Sequence, residues 1–128
     1  MKTSECSGRT LAFLGDAAWS LIVREYLVEN GDSRGKDLQQ HSTGFVSAKA
    51  QAAFYAALHE EGFFTQEEED LFRRGRNANA GSIPHHTDVQ TYRMSTGFEA
   101  LIGGLQLEKK QDRIREIFEK VLRTEVTV

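Results

Sequence analysis

Two acidic residues, Asp16 and Glu99, are the side chains of this chain best placed to do chemistry. Asp16 lies in LAFLGDAAWSLIVREY and Glu99 in YRMSTGFEALIGGLQL, each at the edge of an apolar helical stripe. Two helices that each offer one acid beside a core can bring both acids to one cation. Gly15, directly before Asp16, costs helix stability relative to alanine, so its presence points to something approaching the backbone there. Taken singly, either acid is also what the edge of a solvated helix face carries.

The cations concentrate elsewhere. Arg73, Arg74 and Arg76 surround Gly75 at the end of a helical segment. One cation complements a helix C-terminus, whereas three make a patch of the size of a phosphate. Both readings stand on the residues alone. In FVSAKAQAAFYAALHEE, Lys49 and Gln51 fall off the apolar stripe and could face a ligand, although solvated positions of this kind are commoner. The stretch Asn77 to Asp88 contains the only proline and no periodicity, and a loop of that length is often functional. Its adjacent His85 and His86 point in diverging directions and read as exposed, and His41 reads as a surface or capping residue.

Helices must position these groups. The first should run from Leu11 to about Asn30, burying Leu14, Ala17, Ala18, Leu21 and Ile22, with Asn30-Gly31 as its stop. Met1 to Gly8 reads as a loose polar lead. After a turn at Gly31 to Gly35, the segment KDLQQHST is expected to hold one helical turn, and Phe45 to Glu61 a continuous Ala-rich helix. Thr65 and Glu68 form a capping box. Val89 to Leu107 should bury Phe98, Leu101, Ile102 and Leu105, and Gln111 to Leu122 should bury Ile114, Ile117, Phe118, Val121 and Leu122. No stretch alternates as a strand does, so the fold class is all-α.

The 128 residues suit a single domain with its own core, and eight Phe, three Tyr and one Trp with 27% charged residues describe a soluble globular chain. Cys6 is the one cysteine, which excludes an intramolecular disulfide and a cysteine metal site and fits a reducing cytoplasm. No apolar run approaches the roughly 18 residues of a membrane helix, and the N-terminus lacks a signal-peptide core. A net charge of −3 argues against a surface that grips nucleic acid everywhere. If RNA is a ligand, Mg²⁺ and clustered arginines must offset the acids near its phosphates.

The motif LAFLGDA resembles the signature of the ribonuclease III catalytic domain, and STGFEALIG resembles its second acidic motif. FVSAKAQA, RRGRNANAG and DVQTYRMSTGFEALIG are more specifically similar to Mini-ribonuclease III, the short bacterial branch without a double-stranded-RNA-binding domain. The similarity runs from about Leu11 to the last helix. It implies a ribonuclease III endonuclease-domain helical bundle, with residues 1–128 forming a single catalytic domain. Asp16 and Glu99 match the family's motif acids, while Arg9, Ala12 and Thr96 stand where larger members carry further carboxylates.

The resemblance therefore implies that Asp16 and Glu99 are catalytic and hold one Mg²⁺, which would lower the pKa of a bound water and stabilise charge on the phosphorane and the leaving 3′ oxygen. The products would carry 5′-phosphate and 3′-hydroxyl ends. It further implies a cytoplasmic homodimer that cuts both strands of double-stranded RNA, namely the stem pairing the ends of precursor 23S ribosomal RNA, within a pre-ribosomal particle. Arg73, Arg74, Arg76 and Lys49 would contact phosphates. A rival expectation keeps the fold and removes the chemistry, leaving a catalytically inactive RNA-binding ribosome-assembly factor. A helical interaction module with ordinary surface acids is a second rival.

Overall fold

The computed structural model describes residues 1–30, 35–78 and 88–124. Its six α-helices are α1 (Gly8–Glu29), α2 (Gly35–Val46), α3 (Ala48–Glu60), α4 (Gln66–Arg76), α5 (Val89–Leu107) and α6 (Gln111–Arg123), preceded by a short 3₁₀ turn over Thr3–Glu5. Among the described residues there is no strand. Long apolar helices with capped starts produce this outcome. Ser7, Ser47, Thr65 and Asp88 each accept a backbone N–H of the helix they open, and at α4 the full capping box expected of Thr65 and Glu68 is present.

Helix α5 is the central element, packed by α1, α3, α4 and α6. Phe98, Leu101, Ile102 and Leu105 are all buried, as their spacing predicts. Trp19 of α1 sets its ring edge-on to Phe98 at 4.9 Å and to Phe118 at 5.5 Å, and its indole N–H donates to the Phe45 carbonyl at 2.9 Å. That bond fixes the end of α2 against α1.

Five expectations need correction. The buried side of α1 is Leu11, Ala12, Gly15, Trp19, Val23 and Leu27, not the expected stripe. Of the expected stripe, Leu21 is 60% exposed, and Leu14, Ala17, Ala18 and Ile22 line an open groove of about 520 Å³ between α1 and α6. The single turn expected in KDLQQHST is the middle of the twelve-residue α2. The continuous helix from Phe45 to Glu61 is broken at Ser47, whose side chain caps α3 by accepting the Ala50 N–H at 3.1 Å. The N-terminal lead is also held, because the Arg74 guanidinium donates to the carbonyls of Thr3 (2.9 Å) and Cys6. Leu122, expected in the core, is 37% exposed at the rim of the groove.

An ion pair anchors α6 to α4. Glu68 is 4% exposed and receives Arg113 Nε at 2.7 Å and Nη2 at 2.9 Å. Burial opposes the charged form of Glu68, but hydrogen bonds from Arg113 and from the Thr65 N–H prevail and hold its carboxyl below the usual range. Arg113→Met strands that carboxylate, and a loss of about 3 kcal/mol in urea unfolding is expected.

Candidate active site

The site starts from two glycines. A Cβ built on Gly15 would lie 1.7 Å from the Glu99 carbonyl oxygen, and one built on Gly103 would lie 1.8 Å from the Leu11 carbonyl oxygen. Helices α1 and α5 thus cross with their backbones in contact, which only residues without side chains permit. Asp16 follows the first glycine and Glu99 precedes the second by one helical turn, so the crossing delivers both acids to the same place.

There the carboxyl groups of Asp16 and Glu99 come within hydrogen-bonding reach, so that a protonated Glu99 can donate to Asp16. Asp16 is exposed and Glu99 only partly so. Burial first, then the hydrogen bond and the negative charge of Asp16, push the Glu99 carboxyl up to about 8, opposed by a hydrogen bond from Gln51. Gln51 Nε2 donates to Glu99 Oε2 at 3.4 Å. The positions flanking the pair add no further acid. Ala12 is buried, Arg9 is exposed, and the Thr96 hydroxyl donates to the Tyr92 carbonyl at 3.0 Å.

Two hard oxygen donors on facing helices suit Mg²⁺, which keeps several waters and accepts one or two protein carboxylates. Among the described residues, no group of three or more His, Cys, Asp or Glu side chains is arranged to hold a metal. A cation held by these two carboxylates would take the rest of its coordination shell from other oxygens such as water.

A raised Glu99 pKa carries a sign for stability. The proton held by the folded state stabilises it fully below the ordinary value of 4.5, and that contribution disappears as pH rises through about 8. In chelator, thermal stability should fall across this window in the wild type and lose that component in Glu99→Gln, as parallel melting curves can establish.

The arginines divide. Arg74 is occupied with the N-terminal carbonyls and faces a cleft with Glu67, Glu68, Lys110 and Arg113. Arg73 and Arg76 instead share a hollow of about 350 Å³ with Tyr55, His59 and Glu69. Arg73 pairs with Asp70, and Arg76 lies over the Phe72 ring at 5.9 Å. In the same hollow, Glu69 accepts from the Tyr55 hydroxyl and contacts His59 Nδ1 at 2.5 Å; burial and Glu69 together raise the Tyr55 pKa. Lys49 is exposed in the first turn of α3. His85, His86 and most of the loop between α4 and α5 fall outside the described residues.

Gln51, which the spacing leaves either facing a ligand or solvated, is not solvated, since the side chain is 1% exposed. The open groove and the 81% exposed Phe13 are signalled in the sequence only by an α1 that is apolar on more than one face.

The Ribonuclease III domain model matches residues 9–110. The chain is 42% identical to Mini-ribonuclease 3 of Streptococcus pneumoniae over 111 residues, covering 87% of each chain. With Mini-ribonuclease 3 of Staphylococcus aureus it shares 44% identity over 113 residues, covering 88% of this chain and 84% of the relative. A crystal structure of a Fusobacterium nucleatum protein superposes with a TM-score of 0.82 at 32% identity, covering 92% of this chain and 94% of that one.

Proposed function

Since the chain belongs to the ribonuclease III domain family and is an endoribonuclease, we propose that it cuts double-stranded RNA with Asp16 and Glu99 as catalytic residues that hold Mg²⁺. The observation that carries this reading is the meeting of the two carboxyl groups at the Gly15–Gly103 crossing. When bound, the cation supplies positive charge beside the scissile phosphodiester and lowers the pKa of water. The chain's own part is to hold two anionic oxygens on two packed helices, so that the site is ordered before RNA arrives. Glu99 would hold a cation in its ionised form, and Asp16, exposed beside it, presents the pair to solvent.

The active form is a homodimer. Phe13, one turn before Ala17 and 81% exposed, continues the apolar face formed by Ala17 and Leu21, beside the groove between α1 and α6. A face carrying both a projecting ring and an apolar hollow can serve on both sides of a two-fold contact. Such a dimer offers one site to each strand of a duplex, read through A-form shape and backbone.

Arg73 and Arg76, together with Lys49, supply phosphate contacts, while Arg74 holds the N-terminal turn and reaches RNA only by releasing it. Arg73→Glu with Arg76→Glu should weaken duplex binding by roughly tenfold or more and reduce the salt slope by about one per lost contact. An unchanged slope in filter-binding titrations would leave them as helix-end charges.

The substrate is the duplex pairing the ends of precursor 23S ribosomal RNA, met in the cytoplasm within a pre-ribosomal particle. A small domain with a net charge of −3 has little general grip on RNA, which suits a substrate presented by a larger assembly. Incubating the protein with that duplex should cut both strands in Mg²⁺ and neither in chelator, leaving 5′-phosphate and 3′-hydroxyl ends. Binding without cutting, even on precursor particles, would instead favour an assembly factor.

A further inference from the structure

Gln51 is a buried polar side chain to which the reaction above assigns no role. It sits in the first full turn of α3, where its N–H donates to the Ser47 carbonyl at 3.0 Å and the Ser47 hydroxyl caps the helix. Ala50 and Ala52 flank it and are buried, so α3 packs closely there. Its own side chain is 1% exposed, and its amide donates to Glu99 Oε2 at 3.4 Å.

An amide in that place is expensive. Leucine or methionine would fill a similar volume without removing a polar group from water. What an amide adds is a donor with no charge. Lysine or arginine would neutralise Glu99 and compete with a cation, and a third carboxylate would repel the two already there. An amide N–H on one carboxylate oxygen fixes the plane of the group while leaving its negative charge and its remaining lone pairs available.

We propose that Gln51 is a positioning residue, whose buried amide holds the Glu99 carboxylate in the orientation that receives a divalent cation together with Asp16. This rests on the cation reading given above. Lys49, two residues away on the same helix, is exposed and is not part of this arrangement.

The test is Mn²⁺ binding, followed by the electron paramagnetic resonance of the free ion, for the wild type, Gln51→Met, Gln51→Asn and Asp16→Asn, with melting temperatures in chelator. Gln51→Met should raise the Mn²⁺ Kd by about 10- to 100-fold, the range seen when partners of metal ligands are removed. Its metal-free melting temperature should be unchanged or higher. Cleavage at limiting Mn²⁺ should fall, recover at high Mn²⁺, and show an unchanged KM for RNA.

If Gln51→Met does not fold, Gln51→Asn keeps a polar residue and withdraws the amide by one methylene, with a rise in Kd again expected. A lowered melting temperature with a wild-type Kd would overturn the positioning role. Wild-type protein that binds no Mn²⁺, or binding that Asp16→Asn leaves intact, would overturn the cation reading and this inference with it.

Discussion

Asp16→Asn should reduce duplex cleavage by roughly 10³-fold or more while leaving the fold intact. The two halves of that expectation have separate causes. Asp16 is exposed, and its carboxyl meets Glu99 rather than a buried cation, so asparagine strands no charge in the core. A stability change within about 0.5 kcal/mol is expected. Chemistry suffers because asparagine replaces one of two anionic donors with a neutral amide, and no neighbouring acid can substitute where Ala12 and Thr96 stand. Single-turnover cleavage with thermal melting of the same preparation separates the two effects. Wild-type cleavage by Asp16→Asn would place the chemistry elsewhere on the molecule.

The largest effect on stability should come from Gly15→Ala and Gly103→Ala. At both positions the obstacle is backbone: the Glu99 carbonyl at 1.7 Å and the Leu11 carbonyl at 1.8 Å. No rotamer change relieves such a clash, so α1 and α5 must separate and open the core around Trp19 and Phe98. A loss of about 3 kcal/mol or more is expected for each. Gly44 provides the contrast, because a Cβ there meets nothing within 4 Å and the residue is inside α2. Gly44→Ala should be neutral or stabilising by up to about 1 kcal/mol, through helix propensity alone. Urea titrations of the three variants give the comparison. Equal stabilities would contradict the close crossing, and with it the reason that Asp16 and Glu99 meet.

What was legible follows from where each signal resides. Helix α5 could be read end to end because Phe98, Leu101, Ile102 and Leu105 recur at helical spacing and Asp88 caps its start, even though packing on several sides also buries Ser95, Gly97 and Ala100. Thr65 and Glu68 announced α4 through a local rule that needs no tertiary partner. Helix α1 misled because it is apolar on two sides. Periodicity selected Leu14, Ala17, Ala18, Leu21 and Ile22, while the core took Leu11, Trp19, Val23 and Leu27, and nothing local ranks one face above the other. Ser47 was passed over because an Ala-rich pattern runs through it, although a serine side chain bonded to the backbone three residues on is what begins α3.

The candidate site was legible in part for the same reason. Gly15 before Asp16 signalled a close approach, but that the approaching backbone is that of Glu99 is a fact of tertiary packing. The three arginines look equivalent in sequence. Successive helical residues point about 100° apart, so Arg74 turns toward Thr3 and Cys6 while Arg73 and Arg76 share the hollow lined by Tyr55.

Whether Asp16 and Glu99 together hold one divalent cation is tested most directly by the stoichiometry of Mn²⁺ bound by wild type, Asp16→Asn and Glu99→Gln. One ion per chain in the wild type, lost in both variants while each keeps its folded melting transition, is the expected result. An ion retained in full by either variant would show that the two carboxylates do not form the site.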